Sequence, residues 1–275
     1  MQQAGFAIEP FHLAGAQGPL FCIHLYPHAD VKGCVLYLHP FAEEMHKSRR
    51  MAALQARRFA AAGYAVLQVD LTGCGDSAGD FGDATWAGWL DDASRAYAWL
   101  SAACNAPMMV WGLRTGASLA VELARAQTDV QGVILWQPVA NGEQYLTQFL
   151  RIKLASEMLN AGDAQGGTKY LRSQLESGAS IEVGGYQLAG SMAGELARMK
   201  LTAAPASCPV IWLEIGGENH NNVTPASQRI IDGWRAAGVR VDSRTIMGEP
   251  FWLTQEITEC LGLIDATIQA MGDLE

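Results

Sequence analysis

The sequence predicts an α/β fold: a mostly parallel sheet of about eight strands, helices on both faces, and a small cap insertion over the strand ends. Two observations carry this. Short apolar runs alternate with helix-forming runs along most of the chain, each strand-like run ending in a loop marked by Gly, Pro or Asp. The chain has 275 residues, 49% of them hydrophobic and 17% charged, which suits one larger α/β domain with an insertion.

The first elements read as strands. Phe6 to Leu13 and Leu20 to Tyr26 alternate apolar and polar residues around Gly15-Ala16-Gln17-Gly18, the pattern of a half-exposed antiparallel hairpin. Gly33 to Leu38 is continuously apolar, as in a strand buried on both faces, and ends at His39-Pro40-Phe41-Ala42-Glu43-Glu44. A helix is expected from Ser48 to Ala62, stopped by Gly63. Tyr64 to Val69 is the next strand, and Asp70-Leu71-Thr72-Gly73-Cys74-Gly75-Asp76-Ser77-Ala78-Gly79 a sharp loop. Thr85 to Ala103 has the spacing of an amphipathic helix.

Pro107 to Trp111 is a strand, Gly112-Leu113-Arg114-Thr115-Gly116 a tight turn, and Ala117 to Ala126 a helix. Gly132 to Trp136 is a further core strand, ending at Gln137-Pro138. Residues 141–205 break the rhythm. A helix from Glu143 to Ala161, a loop from Asp163 to Gly167, a short strand within Ile181 to Tyr186 and a helix from Ser191 to Leu201 are expected to form a cap. The core would then be residues 1–140 and 206–275. Its remaining elements are a strand from Pro209 to Ile215, a loop to Pro225, a helix from Ala226 to Ala237, a strand from Val239 to Met247, and a helix from Thr254 to Met271.

Repeated crossovers of this kind give a parallel sheet, and ligands of such sheets sit outside the carboxyl ends of the strands. His39, Asp70, Arg114 and Gln137 all fall at those ends, so four distant residues become one candidate site.

Composition excludes several classes. A net charge of −9 argues against nucleic acid, which needs a basic face. The one basic run, Lys47-Ser48-Arg49-Arg50, reads as a solvated helix face. No apolar stretch reaches the ~18 residues of a membrane span. The start of the chain lacks the basic and apolar regions of a signal peptide, so a cytoplasmic protein is expected. The six cysteines (Cys22, Cys34, Cys74, Cys104, Cys208, Cys260) are scattered and read as small buried hydrophobes; no metal site and no cofactor are expected.

The strand–turn–helix around Gly112 and Gly116 is the layout of a nucleophile elbow, G-x-S-x-G, with Arg114 in the position of the nucleophile. Together with the Asp70–Ser77 loop and His39-Pro40-Phe41, it resembles the α/β-hydrolase superfamily over nearly the whole chain. More narrowly, His39-Pro40-Phe41-Ala42-Glu43-Glu44-Met45, Lys47 to Arg50 and Trp111-Gly112-Leu113-Arg114 resemble the exosortase A system-associated hydrolase type 2 family. That family is encoded beside exopolysaccharide and PEP-CTERM sorting genes in Gram-negative bacteria.

The resemblance implies an oxyanion hole from the backbone amides of Phe41 and Thr115. It implies a triad acid near Asn221, with Glu218 and His220 close by, and a triad base at Glu249. An arginine cannot attack, and no histidine follows His220. Three readings follow. In the first, the pocket binds a small anionic ligand through Arg114 and the two amides, with Glu43 or Glu249 holding the guanidinium when the site is empty. In the second, an unusual hydrolase uses His39 or His46 as base, oriented by Glu43 or Glu44, with Cys74, Ser77 or Thr115 as nucleophile. In the third, the fold is a scaffold for a protein partner of the sorting system. Since neighbouring helix residues face different ways, only one of Glu43 and Glu44 should enter the site, and Glu43 is the expected one.

Overall fold

The computed structural model describes residues 5–161, 166–205, 208–217 and 222–273. One eight-stranded sheet organises them. Its strands are β1 (Phe6–Ala14), β2 (Pro19–Pro27), β3 (Gly33–Leu38), β4 (Tyr64–Val69), β5 (Met108–Leu113), β6 (Val130–Trp136), β9 (Val210–Gly216) and β10 (Val241–Met247). They lie in the order β1-β2-β4-β3-β5-β6-β9-β10. The β1–β2 and β2–β4 pairs are antiparallel, and every pair from β4 through β10 is parallel. The expected mostly parallel sheet is therefore present.

The alternation of a strand decides where each side chain goes. In β3 all six residues are buried. Cys34, Leu36 and Leu38 enter one core, shared with α2 (Trp86–Cys104), α3 (Thr115–Ala126) and α7 (Pro225–Ala236). Val35 and Tyr37 enter the other, shared with α1 (Glu43–Ala61) and α8 (Leu261–Gly272). Each fully buried aliphatic side chain stabilises such a core by about 1.5–3 kcal/mol relative to exposure. A run without polar residues is what two-sided burial requires.

The segment between β6 and β9 contains α4 (Gly142–Ala161), α5 (Gly167–Glu176), the hairpin β7 (Ile181–Val183) and β8 (Tyr186–Leu188), and α6 (Gly190–Arg198). The expected single short strand is thus a hairpin, because Gly184 and Gly185 both adopt positive φ, 57° and 87°, as a two-residue turn demands. Helix α5 has no counterpart in the sequence reading. Only Leu171 and Leu175 are buried on it, too few to make a visible pattern.

Two helix starts also differ from expectation. Helix α1 begins at Glu43 rather than Ser48, so Glu43 and Glu44 lie in its first turn, where acidic groups favour the dipole by about 0.3–1 kcal/mol. Helix α8 begins at Leu261 rather than Thr254. The stretch before it holds Thr254, Ile257 and Thr258, β-branched residues of lower helix propensity. Among the described residues no helix is long and apolar enough to cross a membrane.

Candidate functional site at the end of strand β5

The chain leaves β5 through Arg114, whose φ of 57° and ψ of −118° are strained for a residue with a side chain. Surrounding bonds hold it there. Its N–H donates to Trp136 O at 2.9 Å, and its carbonyl accepts from Ala117 N at 3.1 Å and Val139 N at 3.3 Å. Helix α3 starts on the next residue. The two glycines are required by contact. A Cβ on Gly112 would overlap the carbonyl of Gly116, and one on Gly116 would overlap the carbonyl of Leu38. The five-residue spacing therefore lets α3 close onto the ends of both β3 and β5.

The Arg114 side chain is only 15% exposed and is held from three sides. Its Nε donates to Glu44 Oε1 at 3.3 Å and Oε2 at 3.4 Å, and Nη2 donates to Oε1 at 3.3 Å. Nη1 donates to Gln137 O at 3.4 Å. The guanidinium carbon lies 5.7 Å from the Tyr145 ring centre and 5.4 Å from that of Trp252, within cation–π range of both. Burial raises the Glu44 carboxyl above its ordinary range, against the opposing pull of Arg114, Tyr145 and Lys47. Burial and the neighbouring Glu44 push the Tyr145 phenol well above its own.

Glu44, not Glu43, is the partner of Arg114. Helical residues one apart point about 100° from each other, and the start of α1 at Glu43 turns Glu44 inward. Glu43 is exposed and accepts from the Tyr186 hydroxyl at 3.2 Å. Both glutamates border the cavity beside Arg114, against the expectation that only one would, whereas Glu249 stays outside it: Glu249 is exposed, and its carbonyl accepts from Phe251 N at 2.8 Å. That turn brings Trp252, rather than Glu249 or a histidine, to the guanidinium. Asn221, Glu218 and His220 lie outside the described residues.

A cavity of about 310 Å³ opens beside Arg114. Phe41, Tyr145, Phe149, Ile152, Trp252 and Leu253 give it apolar walls, and Glu43, Glu44, Lys47, Arg114 and Gln148 supply its polar groups. Phe41 is buried among the rings of Phe81, Trp89, Tyr145 and Phe149. The register pairs Leu38 of β3 with Gly112 of β5, so Phe41 and Thr115, each three residues further on, leave neighbouring strands at the same level. Neither backbone N–H meets an acceptor among the described residues. The Thr115 hydroxyl is buried without a partner, and Thr115 does not line the cavity.

The other sequence candidates are committed elsewhere. His39 is 4% exposed. Its Nδ1 lies 2.8 Å from Pro40 O and its Nε2 accepts from Leu71 N at 3.1 Å, which fixes a neutral tautomer with no lone pair free for a substrate. Burial lowers its basicity further. His39 as a general base is therefore not what this geometry provides. His46 is exposed, its ring 6.3 Å from that of Tyr186. The Ser77 hydroxyl accepts from Phe21 N at 2.8 Å and donates to Asp70 O. Cys74 is buried, and burial raises its thiol.

Asp70 pairs with Arg49 at 2.8 Å and accepts from Asp76 N at 3.1 Å. The basic run is not one solvated face. Lys47 lines the cavity, Ser48 bonds to Glu44 O, Arg49 holds Asp70, and Arg50 pairs with Glu259. Among the described residues no three His, Cys, Asp or Glu side chains are grouped to hold a metal ion. The sequence reading missed Tyr145 and Trp252. The aromatic pair Phe251-Trp252 directly after Gly248-Glu249-Pro250 was the available signal for the second.

The sequence pattern of the family described as "Serine aminopeptidase, S33" matches residues 29–170, just over half of the chain. Comparison with curated proteins finds no significant match. Est1E from Butyrivibrio proteoclasticus, solved with bound ferulic acid, superposes with a TM-score of 0.68 at 14% identity, over 96% of this chain and 98% of that one. A highly thermostable carboxyl esterase from Bacillus coagulans, solved with glycerol, also gives 0.68 at 14% identity, over 98% and 99% of the two chains. DcsB, solved with its substrate analogue, gives 0.62 at 13% identity, over 98% and 100%. At such identities the likeness is one of fold.

Proposed function

The chain belongs to the serine aminopeptidase, S33 family of α/β-hydrolases, and we propose that it binds a small anionic ligand at the elbow instead of hydrolysing one. The observation that carries this is Arg114 itself. It occupies the position from which the hydrolase fold presents its nucleophile, it cannot act as one, and its guanidinium borders a cavity. Among the described residues no histidine lines that cavity. The Phe41 amide, without an acceptor among the described residues and on a residue that lines the cavity, adds a donor that suits a ligand's carboxylate or phosphate.

Residues 141–205 act as the cap of this site, with Tyr145, Gln148, Phe149 and Ile152 of α4 forming one wall. The motifs His39 to Met45 and Trp111 to Arg114 support a place in the exosortase-associated branch of the superfamily, and with it a cytoplasmic role in an exopolysaccharide or sorting system.

Calorimetric titration of the wild type with a panel of small carboxylates and inorganic phosphate tests the reading. Arg114→Ala should weaken the best ligand at least tenfold, about 1.4 kcal/mol, with an unchanged far-UV circular dichroism spectrum. Unchanged affinity in a folded Arg114→Ala protein would remove Arg114 from the site and the proposal with it.

A further inference from the structure

The charges around Arg114 restrict which anion the cavity can take. Arg114 and Glu44, 15% and 12% exposed, already form a closed neutral pair. A ligand anion added to that pair leaves one unit of negative charge uncompensated in a largely desolvated site, which costs several kcal/mol. A dianion doubles the problem. Resting on the reading above, we infer that the ligand is a monocarboxylic acid with a compact apolar body, and that it enters together with one proton, which Glu44 takes up as the ligand's carboxylate replaces it on Arg114. The balance is simple. The ligand carboxylate and a solvent proton enter, the Glu44–Arg114 ion pair is exchanged for a ligand–Arg114 ion pair, and Glu44 becomes neutral.

Four features of the site serve this exchange. The Arg114–Glu44 contacts of 3.3–3.4 Å are longer than the 2.7–2.9 Å usual for charge-assisted bonds, so the pair is loose. The Tyr145 and Trp252 rings flank the guanidinium independently of which carboxylate it binds. The Tyr145 phenol and the Glu44 carboxyl line the same cavity and influence each other electrostatically. A phenol both donates and accepts, so it can serve Glu44 in either state. The remaining wall, from Phe149 and Ile152 to Leu253, is apolar and suits a hydrocarbon or aromatic body. At about 310 Å³ the cavity is at the small end of ligand pockets.

The ionisable groups facing Glu44 are Arg114 from the elbow, Tyr145 from α4, and Lys47 and Glu43 from α1; the loop after β10 presents Trp252 and Leu253. Burial already favours the neutral carboxyl at Glu44, which lowers the cost of its protonation. Lys47 is the rival neutraliser. If it compensated the ligand instead, no proton would be bound.

Calorimetry of the full chain with acetate, hexanoate, 3-phenylpropanoate and inorganic phosphate, in HEPES and in Tris at the same pH, distinguishes these. The expected result is uptake of one proton per hexanoate or 3-phenylpropanoate, and affinity rising about tenfold per pH unit of acidification above the range where Glu44 titrates freely. These acids should exceed phosphate at least tenfold. Glu44→Gln should bind them with no proton uptake. The infrared difference spectrum of the wild type on binding should gain the carbonyl band of a protonated carboxyl group, a readout that needs no variant. Binding of the acids without proton uptake, or tighter binding of phosphate, overturns this inference and leaves the anion-site reading standing. Absence of any anion binding overturns both.

Discussion

His39 and Arg114 stand just beyond the carboxyl ends of two neighbouring strands, β3 and β5, whose register sets Leu38 against Gly112. Both are polar, both are mostly buried, and both were candidates for chemistry. Their partners separate them. His39 gives its two ring nitrogens to the main chain, at Pro40 O and Leu71 N, and both belong to the frame. Arg114 is held mainly by side chains, Glu44, Tyr145 and Trp252, that come from three different segments and border open space. A polar side chain absorbed by backbone groups stabilises loops. One balanced by side chains that can exchange partners is available to a ligand.

The strongest perturbation of this comparison is where the two regions touch. The Leu38 and His39 carbonyls lie where a side chain on Gly116 would go. Gly116→Ala must therefore separate the start of α3 from the exit of β3. The neighbours are backbone and cannot rotate away, so the cost should reach about 3 kcal/mol or more, above the middle of the range for overpacked sites. Urea denaturation would show it as a lower midpoint. A wild-type midpoint would mean that the elbow does not need its glycines.

The two regions should respond to substitution in opposite ways. His39→Ala leaves Leu71 N–H and Pro40 O without their partner in a buried place, a loss of about 2–6 kcal/mol from two groups at about 1–3 each. It should leave ligand affinity at Arg114 unchanged. The pH dependence has a definite sign. The folded-state pKa of His39 is lowered, chiefly by burial and against the pull of Asp70. Its contribution to stability is therefore complete above the unfolded value, about 6.5. It is lost as pH falls from there toward the folded-state value. Denaturation of the wild type and of His39→Gln across that window should give a difference that shrinks as the solution is acidified. A constant difference would mean that His39 is not held neutral.

The sheet was legible because β3, β4, β5, β6 and β9 are runs in which almost every residue is apolar, and two-sided burial allows little else. The elbow was legible because two glycines four apart are needed wherever a helix closes on two strand ends. Glu44 was not, since the choice between it and Glu43 turns on where α1 begins. That start follows from Ala42, at a φ of 52° that nothing in its side chain announces. Tyr145 and Trp252 were not, because their approach to Arg114 depends on how α4 and the loop after β10 pack, a tertiary contact without a local pattern. Thr115, expected to offer its amide, does place that amide beside the strand ends, while its hydroxyl is turned into the interior.

The smallest expected effect is also the most direct check on the elbow. Arg114→Ser restores the residue type that the fold usually carries there, and it should yield no measurable hydrolysis of p-nitrophenyl acetate, as should the wild type. A serine needs a base within about 3 Å to take its proton. The loop after β10 delivers Trp252 to that place and keeps Glu249 exposed. The nearest strand end offers His39, whose Nε2 is already bound to Leu71 N–H. Glu44, freed of Arg114, is left buried beside Tyr145 and shifts toward its neutral form, which cannot accept the proton. Labelling of the variant by a fluorophosphonate, with turnover that the label abolishes, would reveal a base that these contacts do not contain. It would also return Arg114 to the status of a single lost residue in a working hydrolase.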